Sequence, residues 1–475
     1  MVFNSFPFLV FLAVLLSLYY RFGHRAQNRL LLVASYVFYG WWDWRFLTLL
    51  WATSIFDWWA GLKITEAEGS RRRAWLWGSI AINMGVLGFF KYSGFFIDSF
   101  ARVLAVIGVQ ADFPTLHVLL PLGISFYTFL SMSYTIDVYR GEMHATRNLE
   151  DFMLYVAFFP HLVAGPIVRA SFLLPQCAQP RVIKRTQVLD GIWLFLLGMV
   201  KKLVIADRLG QVADWGFTAG MNPPFTDANA WLPIYAFAFQ IYGDFSGYSD
   251  MARGLSKIMG FELTENFRAP YLVSGPAEFW RHWHISLSTW LRDYVYIPLG
   301  GNRLSGMKTY RNLMTTMLLG GLWHGAGFAF IAWGAFHGVL LSLERWFTGK
   351  RSKQPSQGVP VWLRWVAVTA FFHLTCIGWL LFRAGAMPKL EMQRDIIGAY
   401  LSAMFSFHFV DGLSALLWPV ALLGALSLCM QWKHQEMDHF SDWAERRQAV
   451  AIAGALTLIA SLGVFHGNSF IYFQF

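Results

Sequence analysis

The chain has 475 residues, 56% of them hydrophobic and only 14% charged. A soluble globular domain carries roughly 25% charged residues, so this composition excludes an ordinary soluble fold and points into a lipid bilayer. The net charge of +10 does not signal nucleic acid, because the basic residues fall in short loops between apolar runs, as a cytoplasmic bias of lysine and arginine beside anionic lipid requires. At ~20 residues per span plus connections, the length accommodates on the order of 10–12 spans. The predicted fold is therefore an all-α, polytopic transmembrane bundle forming a single membrane domain over 1–475. Cys177, Cys376 and Cys429 are far apart in the chain and form no metal or redox pattern; they read as small apolar core residues.

In chain order, the first span is predicted near 6–20, retained rather than cleaved, and is followed by a cytoplasmic loop carrying Arg21, Arg25 and Arg29. The second and third spans lie within 30–62 and turn near Trp41 to Trp44, an aromatic belt. A fourth span covers about 74–92, and residues 93–116 are a mixed segment placed at the outer surface. The next span, about 117–138, is broken by Pro121 and Gly123 and is wet, with Ser125, Tyr127, Ser131, Ser133 and Tyr134. Such a helix is tolerated only against protein or water. Residues 152–169 are interrupted by Pro160, Gly165 and Pro166 and flanked on both sides by basic segments, which predicts a re-entrant hairpin with His161 at its tip as a hydrogen-bonded residue. Spans at about 188–205 and 230–250 bracket an outer loop over 218–229. The second of these carries Asp244 and Asp250, and Asp244 is expected to pair with Arg281 or Arg292 or to help bind substrate. After a cytoplasmic linker over 349–360, three more spans are predicted at about 361–383, 414–432 and 447–466.

The segment 276–301, PAEFWRHWHISLSTWLRDYVYIPLGG, is polar and aromatic in an otherwise apolar chain. As a helix from about Phe279 to Tyr294 it places Phe279, Trp283, Leu287 and Trp290 on one stripe and Arg281, Ser288 and Arg292 opposite, with His284 at the border. Pro298 and the two following glycines end it. The stripe suits either a basic interfacial anchor or a wall whose guanidinium groups hold an anionic ligand. Arg281, Trp283, Ser288 and Arg292 are its candidate binding residues.

Within 312–347 the only ionisable residues before Glu344 are His324 and His337, among many glycines that permit close helix approach or a break near His324. A neutral imidazole in so apolar a stretch is suited to take a proton from a hydroxyl, which makes His324 the candidate base. On one continuous helix His324 and His337 would face nearly opposite sides, so they are not expected to act as a pair. No cysteine or carboxylate joins the histidines at metal-ligand spacing, and neither a phosphate-binding loop nor a nucleophile elbow is present, so no metal site is predicted.

PAEFWRHWHISLSTWLRDYVYIPLGGNR and GLWHGAGFAFIAWGAFHG, with the opening MVFNSFPFLVFLAVLLSLYY, the following VASYVFYGWWDWRF and the ending NSFIYFQF, resemble the membrane-bound O-acyltransferases, and within them the bacterial branch that O-acetylates exported polysaccharides such as alginate. The likeness runs over essentially the whole chain. It implies a ring of tilted helices around a thinned centre with a tunnel between the faces, and a catalytic core within 276–347. It assigns the intramembrane base to His324 and a second catalytic position to His284. It implies a cytosolic thioester donor such as acetyl-CoA, no tightly held cofactor, a periplasmic acetyltransferase partner as acceptor, and a place in the bacterial inner membrane. Cellulose, peptidoglycan and teichoic acid remain alternative polymers, and a non-enzymatic translocator of acyl groups is the alternative outside enzymes.

Overall fold

The computed structural model describes residues 1–109, 119–218, 228–303, 306–349, 360–387, 389–406, 414–465 and 470–471. Every regular element among them is a helix. Most of the predicted outer loop at 218–229, of the linker at 349–360 and of the C-terminal NSFIYFQF lies outside the described residues. The chain forms two compact units, Met1–Ile192 with Met251–Thr264, and Trp193–Asp250 with Glu265–Phe475. The region 276–347 falls wholly in the second.

In the first unit, α1 (Phe6–Tyr19), α2 (His24–Asp43), α3 (Phe46–Glu66) and α4 (Gly69–Leu87) follow one another, with the turn between α2 and α3 at Trp44 and Arg45 as the aromatic belt suggested. α4 does not stop near residue 92. It runs through a π-helical turn, Gly88–Tyr92, into α5 (Ser93–Val106), a continuous 38-residue helix instead of a span plus a mixed surface segment. Its apolar side is largely exposed: Trp77, Phe96, Phe100 and Val103 point outward, where hydrocarbon would satisfy them.

α6 (Ile124–Arg140) begins after Gly123, whose left-handed backbone (φ +71°) makes the break expected at Pro121 and Gly123. The helix is buried along most of its length, so its hydroxyls face protein. Ser79 of α4 donates to the buried Asp57 of α3 at 2.7 Å and lies 2.9 Å from Thr135 of α6, while Asn83 donates to the other Asp57 oxygen at 2.8 Å. α3 and α6 approach so closely at Gly61 that a Cβ there would sit 2.6 Å from the Tyr134 ring. The interrupted 152–169 segment becomes two short helices, α7 (Leu149–Ala157) and α8 (Phe159–Leu162), and a buried extended stretch leading to α9 (Ala170–Ala178). His161 is fully buried, and its Nε2 donates to the Tyr155 carbonyl at 2.9 Å, the hydrogen-bonded role read from sequence.

The boundary between units falls within α10 (Arg185–Met199) and α12 (Trp231–Ile258), with α11 (Asp207–Thr218) between them. The predicted span at 188–205 ends in a π-helical turn, Val200–Ala206, that carries two buried lysines. Lys201 bonds Asp250 at 2.6 Å, and Lys202 bonds both Asp207 and Asp244 at 2.8 Å. Asp244 therefore pairs with Lys202, not with Arg281 or Arg292. Buried charges must be paired, and the lysine partners lay hidden inside an apolar run.

The second unit continues with α13 (Pro276–His282), α14 (Ile285–Leu291), α15 (Gly306–His324), α16 (Phe328–Thr348), α17 (Val361–Ala384), α18 (Leu390–Met404), α19 (Ser414–Trp432), α20 (His434–Asp438) and α21 (Glu445–Leu462). α18 was not anticipated. α15 and α16 form a hairpin whose backbones touch: a Cβ on Gly321 would lie 2.2 Å from the Phe330 carbonyl oxygen, and one on Gly334 would lie 2.3 Å from that of Met317. Among the described residues two helices are long and apolar enough to cross a membrane, Gly69–Val106 and Val361–Ala384, with shorter apolar helices at Phe6–Tyr19 and Leu416–Trp432. Length and composition alone thus give fewer spans than the 10–12 expected, because helices such as α6 and α12 carry polar residues that they bury against neighbours.

Candidate active site

The predicted single helix from Phe279 to Tyr294 is broken. α13 ends at His282, Trp283 is extended, and His284 takes a left-handed backbone (φ 42°, ψ 54°) before α14 begins. Such a conformation is costly for a residue with a Cβ and persists where the surroundings fix it. Asn266 supplies that fixing. Its carbonyl accepts the Ile285 N–H at 3.0 Å, and its side-chain oxygen accepts both the Ser286 N–H (3.1 Å) and the Ser286 hydroxyl (2.8 Å). Two residues on, the Arg268 N–H donates to the His282 carbonyl at 3.0 Å. The stripe still buries its apolar members, since Phe279, Trp283, Leu287 and Trp290 are all in the core.

The turn delivers the His284 ring into a fully buried position. Its centroid lies 4.5 Å from that of Phe245 on α12, 5.6 Å from Trp323 and 6.1 Å from His324. His324 is the last residue of α15, 3% exposed, and its ring is boxed by Trp333 at 5.0 Å and Phe382 at 5.2 Å. Gly325 begins the break between α15 and α16, and a side chain there would collide with the Phe330 ring at 2.1 Å. The break at His324 that the glycines suggested is therefore present, and the two histidines singled out as catalytic come together although 40 positions separate them in sequence.

Because α15 and α16 are separate helices, the continuous-helix argument about His337 does not apply. His337 stands on α16, stacked on Phe279 (5.8 Å) and edge-on to Trp333 (4.8 Å), so Trp333 sits between it and His324. The His337 ring is buried, and among the described residues neither of its nitrogens has a hydrogen-bond partner.

A pocket of about 410 Å³ opens beside the broken helix, and its lining includes Arg268, Arg281, Ser288, Arg292 and Thr316, with no carboxylate among the described residues. Arg281, Ser288 and Arg292, the polar face read from sequence, thus share one cavity, and Arg268 joins them unforeseen. Neither His284 nor His324 lines this pocket; Ile285, next to His284, does. Arg292 is also bonded to Asp293 at 2.7 Å, which raises its pKa and keeps it charged. Trp283 does not line the pocket. It is a core residue packed on Phe279, Tyr271 and Trp379. Asp244 stays with Lys202 and accepts the Ile471 N–H at 2.6 Å. Asn266 was missed because its role depends on backbone partners nearly 20 positions away.

Known proteins share this arrangement of sequence. Residues 112–385 match the model of the membrane-bound O-acyltransferase family. The probable alginate O-acetylase AlgI of Pseudomonas aeruginosa is 49% identical over 418 residues, covering 86% of this chain and 75% of that protein. The peptidoglycan O-acetyltransferase of Helicobacter pylori is 32% identical over 94% of this chain and 91% of its own length. The teichoic acid D-alanyltransferase of Bacillus subtilis is 28% identical over 58% of this chain and 71% of its own. The family match and the similarity to these named transferases over 58–94% of the chain make this helical membrane protein an acyltransferase. The chain belongs to the membrane-bound O-acyltransferase family.

Proposed function

We propose that this enzyme moves an acetyl group from a cytoplasmic thioester, acetyl-CoA or an acylated carrier, across the bacterial inner membrane to a periplasmic acetyltransferase partner, for O-acetylation of exported alginate. The observation that carries the reading is the buried pair His284 and His324, in a chain about half identical to alginate O-acetylases over most of its length. His324 takes the proton of the acceptor hydroxyl, whose oxygen attacks the thioester carbonyl carbon. The carbon–sulfur bond breaks, the thiolate leaves, and the proton held on His324 returns to it. His284 steadies the reacting carbonyl or the charge that develops on its oxygen. The basic pocket, with three arginines and no carboxylate among the described residues, suits the phosphates of such a donor.

His324→Ala and His284→Ala test this directly. In a strain lacking the native protein, each is expected to lower polymer acetylation about 10²–10⁴-fold while the protein reaches the membrane at normal abundance. Wild-type acetylation by His324→Ala would end the proposal. Alignment with the peptidoglycan O-acetyltransferase over nearly the full chain supports a second reading, in which peptidoglycan is the polymer. Acetyl analysis of both polymers in the same strain separates the two.

A further inference from the structure

We propose that Glu265, His434 and Asp438 form a divalent-metal site, taking zinc or a similar first-row cation, that clamps α20 to the segment bracing the His284 turn. One ligand atom from each of the three residues lies within 4.8 Å of the other two. His434 and Asp438 stand four apart on α20 and so share one helical face. Glu265 arrives from the other side, with Oε1 against His434 Nε2. Its second oxygen, Oε2, accepts from Arg268 Nε. That leaves Oε1 directed at the cluster while Arg268 orients the carboxylate from outside, the arrangement usual behind a metal-bound carboxylate. One imidazole nitrogen and two carboxylates leave a fourth position for water, a donor set common for zinc. All three residues are half-buried, which permits exchange with solvent. Of the neighbouring cations, Lys433 and Arg447 are drawn to Glu436, and Lys201, which feels the Asp438 charge, is bonded to Asp250.

An ion pair between Glu265 and protonated His434 would need only those two groups. Asp438 brings a third ligand atom to the same point, which a metal requires. The position gives the site a purpose. Asn266, adjacent to Glu265, holds the turn that presents His284, and Tyr271 N–H is tied to Gln431 of α19 at 3.0 Å. A metal would fix the start of this segment to α20.

The test uses the full chain in detergent, purified through an affinity tag free of histidine, stripped with chelator, incubated with zinc chloride and desalted. Stoichiometric retained zinc by mass spectrometry, with a higher melting temperature than the stripped protein, is expected. Both are expected to vanish in His434→Ala and in Asp438→Asn, and to persist in Glu436→Gln on the same helix. If His434→Ala fails to accumulate, Asp438→Asn carries the test. No retained zinc and an unchanged melting temperature in the wild type would leave an ion pair and overturn the site, as would full zinc retention by Asp438→Asn.

Discussion

His284 is held in a backbone conformation that costs on the order of 1–3 kcal/mol, and Asn266 is the residue that keeps it there. Asn266→Ala would remove the oxygen that accepts from both the Ser286 N–H and its hydroxyl in a buried site, a loss of about 1–3 kcal/mol. The expected outcome is a lower melting temperature and a reduced kcat with little change in the KM for the thioester, since Asn266 does not line the basic pocket. Asn266→Asp, which keeps the accepting oxygen, should recover much of both. Steady-state kinetics and a thermal melt of the detergent-solubilised protein check this. At this scale much was legible beforehand. Arg281, Ser288 and Arg292 were singled out by residue type and share a cavity, although the one helical face predicted for them is interrupted at Trp283 and His284. The left-handed turn at His284 was not legible, because a distant asparagine imposes it. The partner of Asp244 was missed for a similar reason, since Lys202 sits inside a run that reads as apolar.

The α15–α16 hairpin carries His324 at its apex, and its glycines leave no space for a side chain between the helices. Gly334→Val must push the helices apart at the Met317 carbonyl, so overpacking of about 1–3 kcal/mol or more is expected. The variant should melt early and lose activity even though it touches neither imidazole. Gly338→Ala meets the flexible Met314 side chain first, so its loss should be smaller. Ranking both variants by melting temperature tests the contrast. The close approach was readable from the glycines themselves. α18 was not, because Leu390–Met404 mixes charged and apolar residues without a run long enough to suggest a span.

At the scale of the whole molecule, a net charge of +10 includes three arginines, Arg268, Arg281 and Arg292, that line one pocket. Arg281→Gln with Arg292→Gln should raise the KM for a thioester that bears phosphates by about tenfold or more, since each charge-assisted hydrogen bond to a phosphate is worth ~1–3 kcal/mol. The KM of the unaltered enzyme should rise with ionic strength more steeply than that of the double variant, because salt screens exposed charges. Measuring KM between low and high salt decides it. The helical membrane class and the family were readable from composition and motifs. The grouping into two compact units was not, because the boundary cuts through helices without any change in composition.

The touching backbones of α15 and α16 also divide this hairpin into two skins under different selection. Leu319, Val339 and Leu343 face outward, on the side away from the touching backbones. Those positions can drift with the thickness and fluidity of the surrounding lipid, while His324 stays in register. Transplanting the enzyme between bacteria with unlike membranes should therefore call for changes on the greasy exterior alone.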